Sequence, residues 1–122
     1  MSAGAEELDR ILKALNHPVR RRILSELVGG TGSATTLSRA LKTDLGIVTY
    51  HLNQVLAKQC KVLELVDTVP NRGSVEKFYR LDIEGPLDLP AAGGPGSWEE
   101  ASWAMSLGER LLESALARED SK

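Results

Sequence analysis

At 122 residues the chain is long enough for one compact domain with an appended element, and its 42% hydrophobic and 26% charged residues exclude wholesale disorder. No apolar run is long enough to span a bilayer, and the single cysteine, Cys60, excludes an intrachain disulfide, so a reducing, cytoplasmic setting away from membranes is expected. The formal charge of −2 hides an asymmetry: residues 10–81 carry twelve Lys/Arg against five Asp/Glu, whereas residues 1–9 are purely acidic and residues 82–122 carry three bases against nine acids.

The opening Met1–Glu7 has no basic or apolar region of a leader, so no signal peptide is expected. In Glu6–Leu15 the apolar residues Leu8, Ile11, Leu12 and Leu15 fall at helical spacing. His17-Pro18 interrupts that helix, and Pro18 suits the first position of a second one, whose apolar side is Val19, Ile23, Leu24 and Leu27. Gly29, Gly30 and Gly32 stop it. Ser33 is placed to cap a short third helix, Ala34–Leu41, with Leu37, Ala40 and Leu41 inward. After a turn at Lys42-Thr43, Asp44 caps a fourth helix that runs to about Gln59 and buries Val48, Leu52, Val55 and Leu56. A short helix, a brief turn and a second helix form a helix-turn-helix unit.

Beyond Lys61 the period changes. Val62–Val69 alternates and is rich in β-branched residues, Pro70–Ser74 has turn chemistry, and Val75–Leu81 resumes as a second strand. A hairpin directly after a helix-turn-helix reads as a wing, here with its tip around residues 70–75 and a cation, Arg72, on it. Asp82–Gly96 holds three prolines and four glycines and reads as a linker. Ser97 and Glu100 have the spacing of a capping box. The helix they open presents Ala101, Ala104, Met105, Leu111, Leu112, Ala115 and Leu116 on one side, weakened slightly by Gly108. The expected fold is mainly α with a small β-hairpin, an α+β winged helix-turn-helix over residues 5–82. A linker at 83–97 joins it to a C-terminal helix at 98–119.

The fourth helix divides its labour. With its apolar side in the core, Gly46, Ile47, Thr49, Tyr50 and Asn53 face outward and can meet base edges in the major groove of double-stranded DNA. Its positive end, near Gly46, favours phosphate. Arg39, Lys42, Ser33 and Arg72 are the candidate phosphate contacts, while Lys77 and Arg80 sit on the hairpin's arms. Arg20, Arg21 and Arg22 point in three directions on a helix, and some of them solvate it or pair with Glu26. The plain alternative for all these positions is a solvated amphipathic surface, which would leave a winged-helix module that binds proteins and not DNA. No nucleophile–base pair, Gly-rich phosphate loop or Cys/His cluster stands out, so neither catalysis, a cofactor nor a metal is expected. Cys60 and His51 read as packed residues, with oxidation sensing at Cys60 the less favoured option.

Leu12–Leu24, reading LKALNHPVRRRIL, is similar to the opening of ArsR-type winged helix regulators. Val48–Leu52, VTYHL, resembles their recognition-helix signature, and Lys77–Leu81 resembles the strand that closes their wing. The resemblance covers about residues 8–82 and implies a prokaryotic homodimer that binds an inverted repeat, usually as a repressor, and often releases it on meeting an effector. The family's metal sensors carry cysteine in the third helix, where this chain has Ser33-Ala34-Thr35-Thr36-Leu37-Ser38, or histidine in the last helix, which has none here. Any effector is therefore an unknown small molecule or protein, with a pocket beside Trp98 and Trp103 as one option. His17 stands where the family has aspartate, which implies a weaker helix cap. In such proteins the last helix dimerises, and here the last helix and the first supply Leu8, Ile11, Leu12, Trp98, Met105 and Leu112 for that role.

Overall fold

A computed structural model describes residues 4–120, so the opening Met1–Ala3 of the stretch read as leaderless lies outside the described residues, as do residues 121–122. Helices α1 (Ala5–Leu15), α2 (Pro18–Leu27), α3 (Ala34–Leu41) and α4 (Leu45–Thr49) come first, and α4 continues into a π-helical stretch, Tyr50–Gln59. Strands β1 (Leu63–Asn71) and β2 (Ser74–Leu81) form an antiparallel hairpin, and α5 (Trp98–Asp120) ends the described chain. The architecture is a winged helix-turn-helix with a C-terminal helix.

Local chemistry explains the helix ends. Glu6 and Glu7 in the first turn of α1 and Lys13 in its last complement the helix dipole. His17 caps α2: its Nδ1 accepts the Val19 amide at 3.1 Å, ahead of Pro18 at the first helical position. Ser33 closes a capping box with Thr36 at the start of α3. Lys42 takes a left-handed conformation after α3 (φ 51°), which turns the chain without the usual glycine. Asp44 Oδ2 then accepts the Ile47 amide at 3.1 Å and opens α4.

The fourth helix departs from simple α winding. From Tyr50 onward the backbone bonds lengthen to a five-residue reach, as in Cys60 N to Val55 O at 2.7 Å. A wider turn brings every fourth residue inward, so Val48, Leu52, Leu56 and Cys60 are all buried, with Val55 and His51 beside them.

The wing turns more tightly than its composition suggests. Pro70 lies within β1, paired with Val75, and the turn is only Arg72-Gly73, both at positive φ (48° and 82°). Pro70 is tolerated because β1 has a single neighbour and its missing amide interrupts no second ladder. A bulge at Val66 shifts the register between Leu65 and Asp67. Gly32 pairs with Tyr79 through bonds of 3.0 and 2.9 Å, which ties the entry of α3 to β2.

One core joins α1, α2, α3, α4 with its π-helical continuation, the hairpin and α5. The inner side of α5 is Trp103, Leu107, Leu111 and Ser114, whereas Ala101 and Met105 of the expected stripe are exposed. The expected stripe missed Trp103 and Leu107, and Ala40 on α3 is also exposed instead of inward. α5 runs antiparallel against α1, close enough that a Cβ on Gly108 would stand 3.0 Å from Leu15 Cδ1. The segment between β2 and α5 has no helix or strand, yet it is no free linker. Ile83, Leu87, Leu89 and Ala92 pack on the core, Arg110 Nη2 donates to the carbonyls of Glu84 (2.9 Å) and Pro86 (3.1 Å), and Arg118 pairs with Asp82 at 2.9 Å.

Candidate nucleic-acid interface

The fourth helix, α4 with its π-helical continuation, begins with an exposed apolar and polar turn. Ile47 and Tyr50 are 47% and 55% exposed, Leu45 and Gly46 are also exposed, and Thr49 is half-buried. Such exposed carbon at a helix N-terminus suits thymine methyls as well as base edges. A Cβ on Gly46 would stand 3.1 Å from the capping Asp44 Oδ2, so glycine keeps that cap uncrowded.

Asn53 is placed differently from expectation. It is half-buried, and its Oδ1 is enclosed without a hydrogen-bond partner. Its neighbour Gln54 is exposed one turn on from Tyr50 and was not among the expected readers. The wider winding is what separates the two: every fourth residue shares a side, so Gln54 follows Tyr50.

Cations sort into two sets. Arg21, Arg80, Arg110 and Arg118 are ion-paired, to Glu100, Glu64, Glu113 and Asp82 respectively. Among the described residues Lys13, Arg39, Lys42, Lys58, Lys61, Arg72 and Lys77 are exposed and form no ion pair. Arg39, Lys42, Lys58 and Arg72 stand at the end of α3, in the turn, on the fourth helix and at the wing tip, Lys77 stands on β2, and Lys13 and Lys61 lie on α1 and just before β1. That is the distribution that favours a polyanion, because a paired cation is already neutralised.

Ser33 is corrected as a phosphate contact. It is fully buried, and its hydroxyl donates to the Glu76 carboxylate of β2 while accepting the Thr36 amide. The arginine run is likewise spent inside the fold. Arg21 pairs with Glu100 at 3.1 Å and donates to Leu15 O at 2.7 Å, Arg22 reaches the turn after α3, and none of the three bonds Glu26. Arg20 Nη1 lies 3.5 Å from His51 Nδ1.

The two histidines meet behind the reading helix. Burial, reinforced by Arg20 and Arg21, lowers the His17 pKa, and burial with His17 and Arg20 lowers that of His51. Burial pushes the Cys60 thiol up, and at 1% exposure it is closed to solvent oxidants. Among the described residues no group of three or more His, Cys, Asp or Glu is placed to hold a metal, and no helix is long and apolar enough to cross a membrane.

α1 and α5 frame an open groove of about 950 Å³. Leu8, Leu12, Met105 and Leu112 line it, and the first three are 43%, 54% and 71% exposed. Ile11 belongs chiefly to the core of its own chain at 4% exposure, which corrects its role as a contact for a second copy. Trp98 is 83% exposed whereas Trp103 is buried, so the two tryptophans do not frame a common pocket.

Residues 10–66 match the family model of the helix-turn-helix domain. That span holds the second half of α1, α2, α3, the turn, α4 with its π-helical continuation and the first residues of β1. The match agrees with the architecture, a winged helix-turn-helix fold with a C-terminal helix. Comparison with curated proteins finds no match.

Proposed function

We propose that the protein is a sequence-specific, double-stranded DNA-binding transcriptional regulator of ArsR type, acting as a homodimeric repressor on an inverted repeat. The observation that carries the reading is the placement of exposed, unpaired cations around the helix-turn-helix and the wing. Arg39, Lys42 and Arg72 flank, and Lys58 stands on, a helix that offers Gly46, Ile47, Thr49 and Tyr50 at its exposed start, while Arg21, Arg80, Arg110 and Arg118 are neutralised by acids. The exposed apolar residues Leu8, Leu12 and Met105, with the half-buried Leu112 beside them, support pairing of two chains through α1 and α5, which would present two reading helices to two half-sites.

The test is duplex binding. The wild type should retain random duplex in a strongly salt-dependent way and enrich a defined sequence from a randomised pool. Tyr50→Ala or Thr49→Ala should cost about 1–3 kcal/mol on the enriched sequence. Absence of any duplex binding at low salt would reject the reading.

A further inference from the structure

Arg22 lies in the middle of α2, on the side of that helix that meets the helix-turn-helix. Its guanidinium donates from Nη2 to the Leu41 carbonyl at 2.6 Å and from Nη1 to Thr43 Oγ1 at 3.2 Å. Leu41 is the last residue of α3, so its carbonyl has no partner within the helix, and a cation there also meets the negative end of the helix dipole. The same turn is tied twice more. Thr43 Oγ1 donates to Leu41 O at 3.1 Å, and Ser38 Oγ donates to Thr43 O at 2.6 Å. These bonds close around Lys42, held at φ 51° where a side chain is strained and glycine is absent.

We propose that Arg22 is a positioning residue for the reading helix. It fixes the α3–α4 turn from outside the helix-turn-helix, and thereby the angle at which residues 45–50 are offered to a duplex, without itself touching DNA. This rests on the DNA-binding reading above. It differs from a phosphate contact in what it controls: a phosphate contact sets affinity for every sequence, whereas a positioning residue sets the difference between sequences.

The experiment measures two duplexes by fluorescence anisotropy across a salt series, one enriched by the wild type from a randomised pool and one of random sequence. Arg22→Gln should weaken the enriched duplex by about tenfold or more while leaving the random duplex within about twofold, with an unchanged salt slope. Thr43→Val, which removes the hydroxyl without altering charge, should lower the same ratio, and it carries the test if Arg22→Gln does not fold. Arg39→Ala is the contrast, weakening both duplexes together. Equal losses on both duplexes for Arg22→Gln with a slope shallower by about one would overturn the proposal in favour of a phosphate contact. An unchanged ratio in both variants would overturn it outright. A wild type that binds neither duplex would instead reject DNA binding itself, and this proposal with it.

Discussion

The imidazoles of His17 and His51 lie with ring centroids 4.3 Å apart, and each presents Nδ1 as an acceptor, to the Val19 amide in His17 and towards Arg20 Nη1 in His51. One ring caps α2 and the other belongs to the reading helix. A nitrogen that accepts a hydrogen bond carries no proton, so this pair is built for the neutral state.

Acid should therefore weaken the fold. Both pKa values lie below the ordinary 6.5, so the unfolded chain binds protons at a pH where the folded chain does not. Stability is complete above that value and is lost as pH falls below it, until the folded rings titrate as well. The melting temperature should drop between about pH 7.5 and pH 5.5, and His17→Asn, which keeps a capping oxygen, should flatten the slope. A slope identical in the variant would show that His17 takes no part.

Ser33 joins α3 to the wing. Ser33→Ala removes the cap, worth about 1 kcal/mol, and leaves the Glu76 carboxylate short of a donor at a further cost of about 1–2 kcal/mol. Urea unfolding should register a loss of roughly 2–3 kcal/mol. Glu76→Ala should cost less than Ser33→Ala, since it spares the cap and removes the very carboxylate that Ser33→Ala leaves short of a donor.

Arg72 separates stability from binding. Its positive φ beside Gly73 is the geometry that asparagine and glycine prefer in a two-residue turn. Arg72→Asn should stabilise the fold by up to about 1 kcal/mol while lowering affinity for every duplex tested. Stability and affinity falling together would mean that the side chain holds the wing and does not contact phosphate.

The groove predicts the oligomer. Leu12→Glu combined with Met105→Glu places charge on two exposed groove residues, so the unfolding free energy of the isolated chain should change by no more than about 0.5 kcal/mol per site. Light scattering should show a dimer for the wild type and a monomer for the variant. A wild type that is monomeric at micromolar concentration would remove the dimer from the proposed function.

Most of the architecture was legible because it is written in local chemistry. Pro18, Ser33 and Asp44 sit where helices start, and the apolar period of Val48, Leu52, Val55 and Leu56 marks the reading helix. What escaped was decided by tertiary partners. Whether Ser33 faces solvent depends on Glu76, forty-three residues away in sequence. The arginine run looked like a surface because Glu100, Leu41 and Thr43, which absorb it, lie on other elements. Residues 83–97 lack a period because they pack as an extended strap, where apolar residues need follow no fixed spacing. Histidine at position 17 caps its helix because the ring nitrogen does what a carboxylate oxygen would.

The strap has a kinetic consequence. Arg110 grips its backbone at Glu84 and Pro86, and Arg118 holds Asp82, so α5 is seated on α1 of its own chain before any second molecule arrives. An exchanged arrangement, with α5 traded between copies, would have to break those bonds and withdraw Trp103, Leu107 and Leu111 from the core. Each chain can therefore finish folding by a first-order process, and the proposed dimer would form in a separate step between completed molecules.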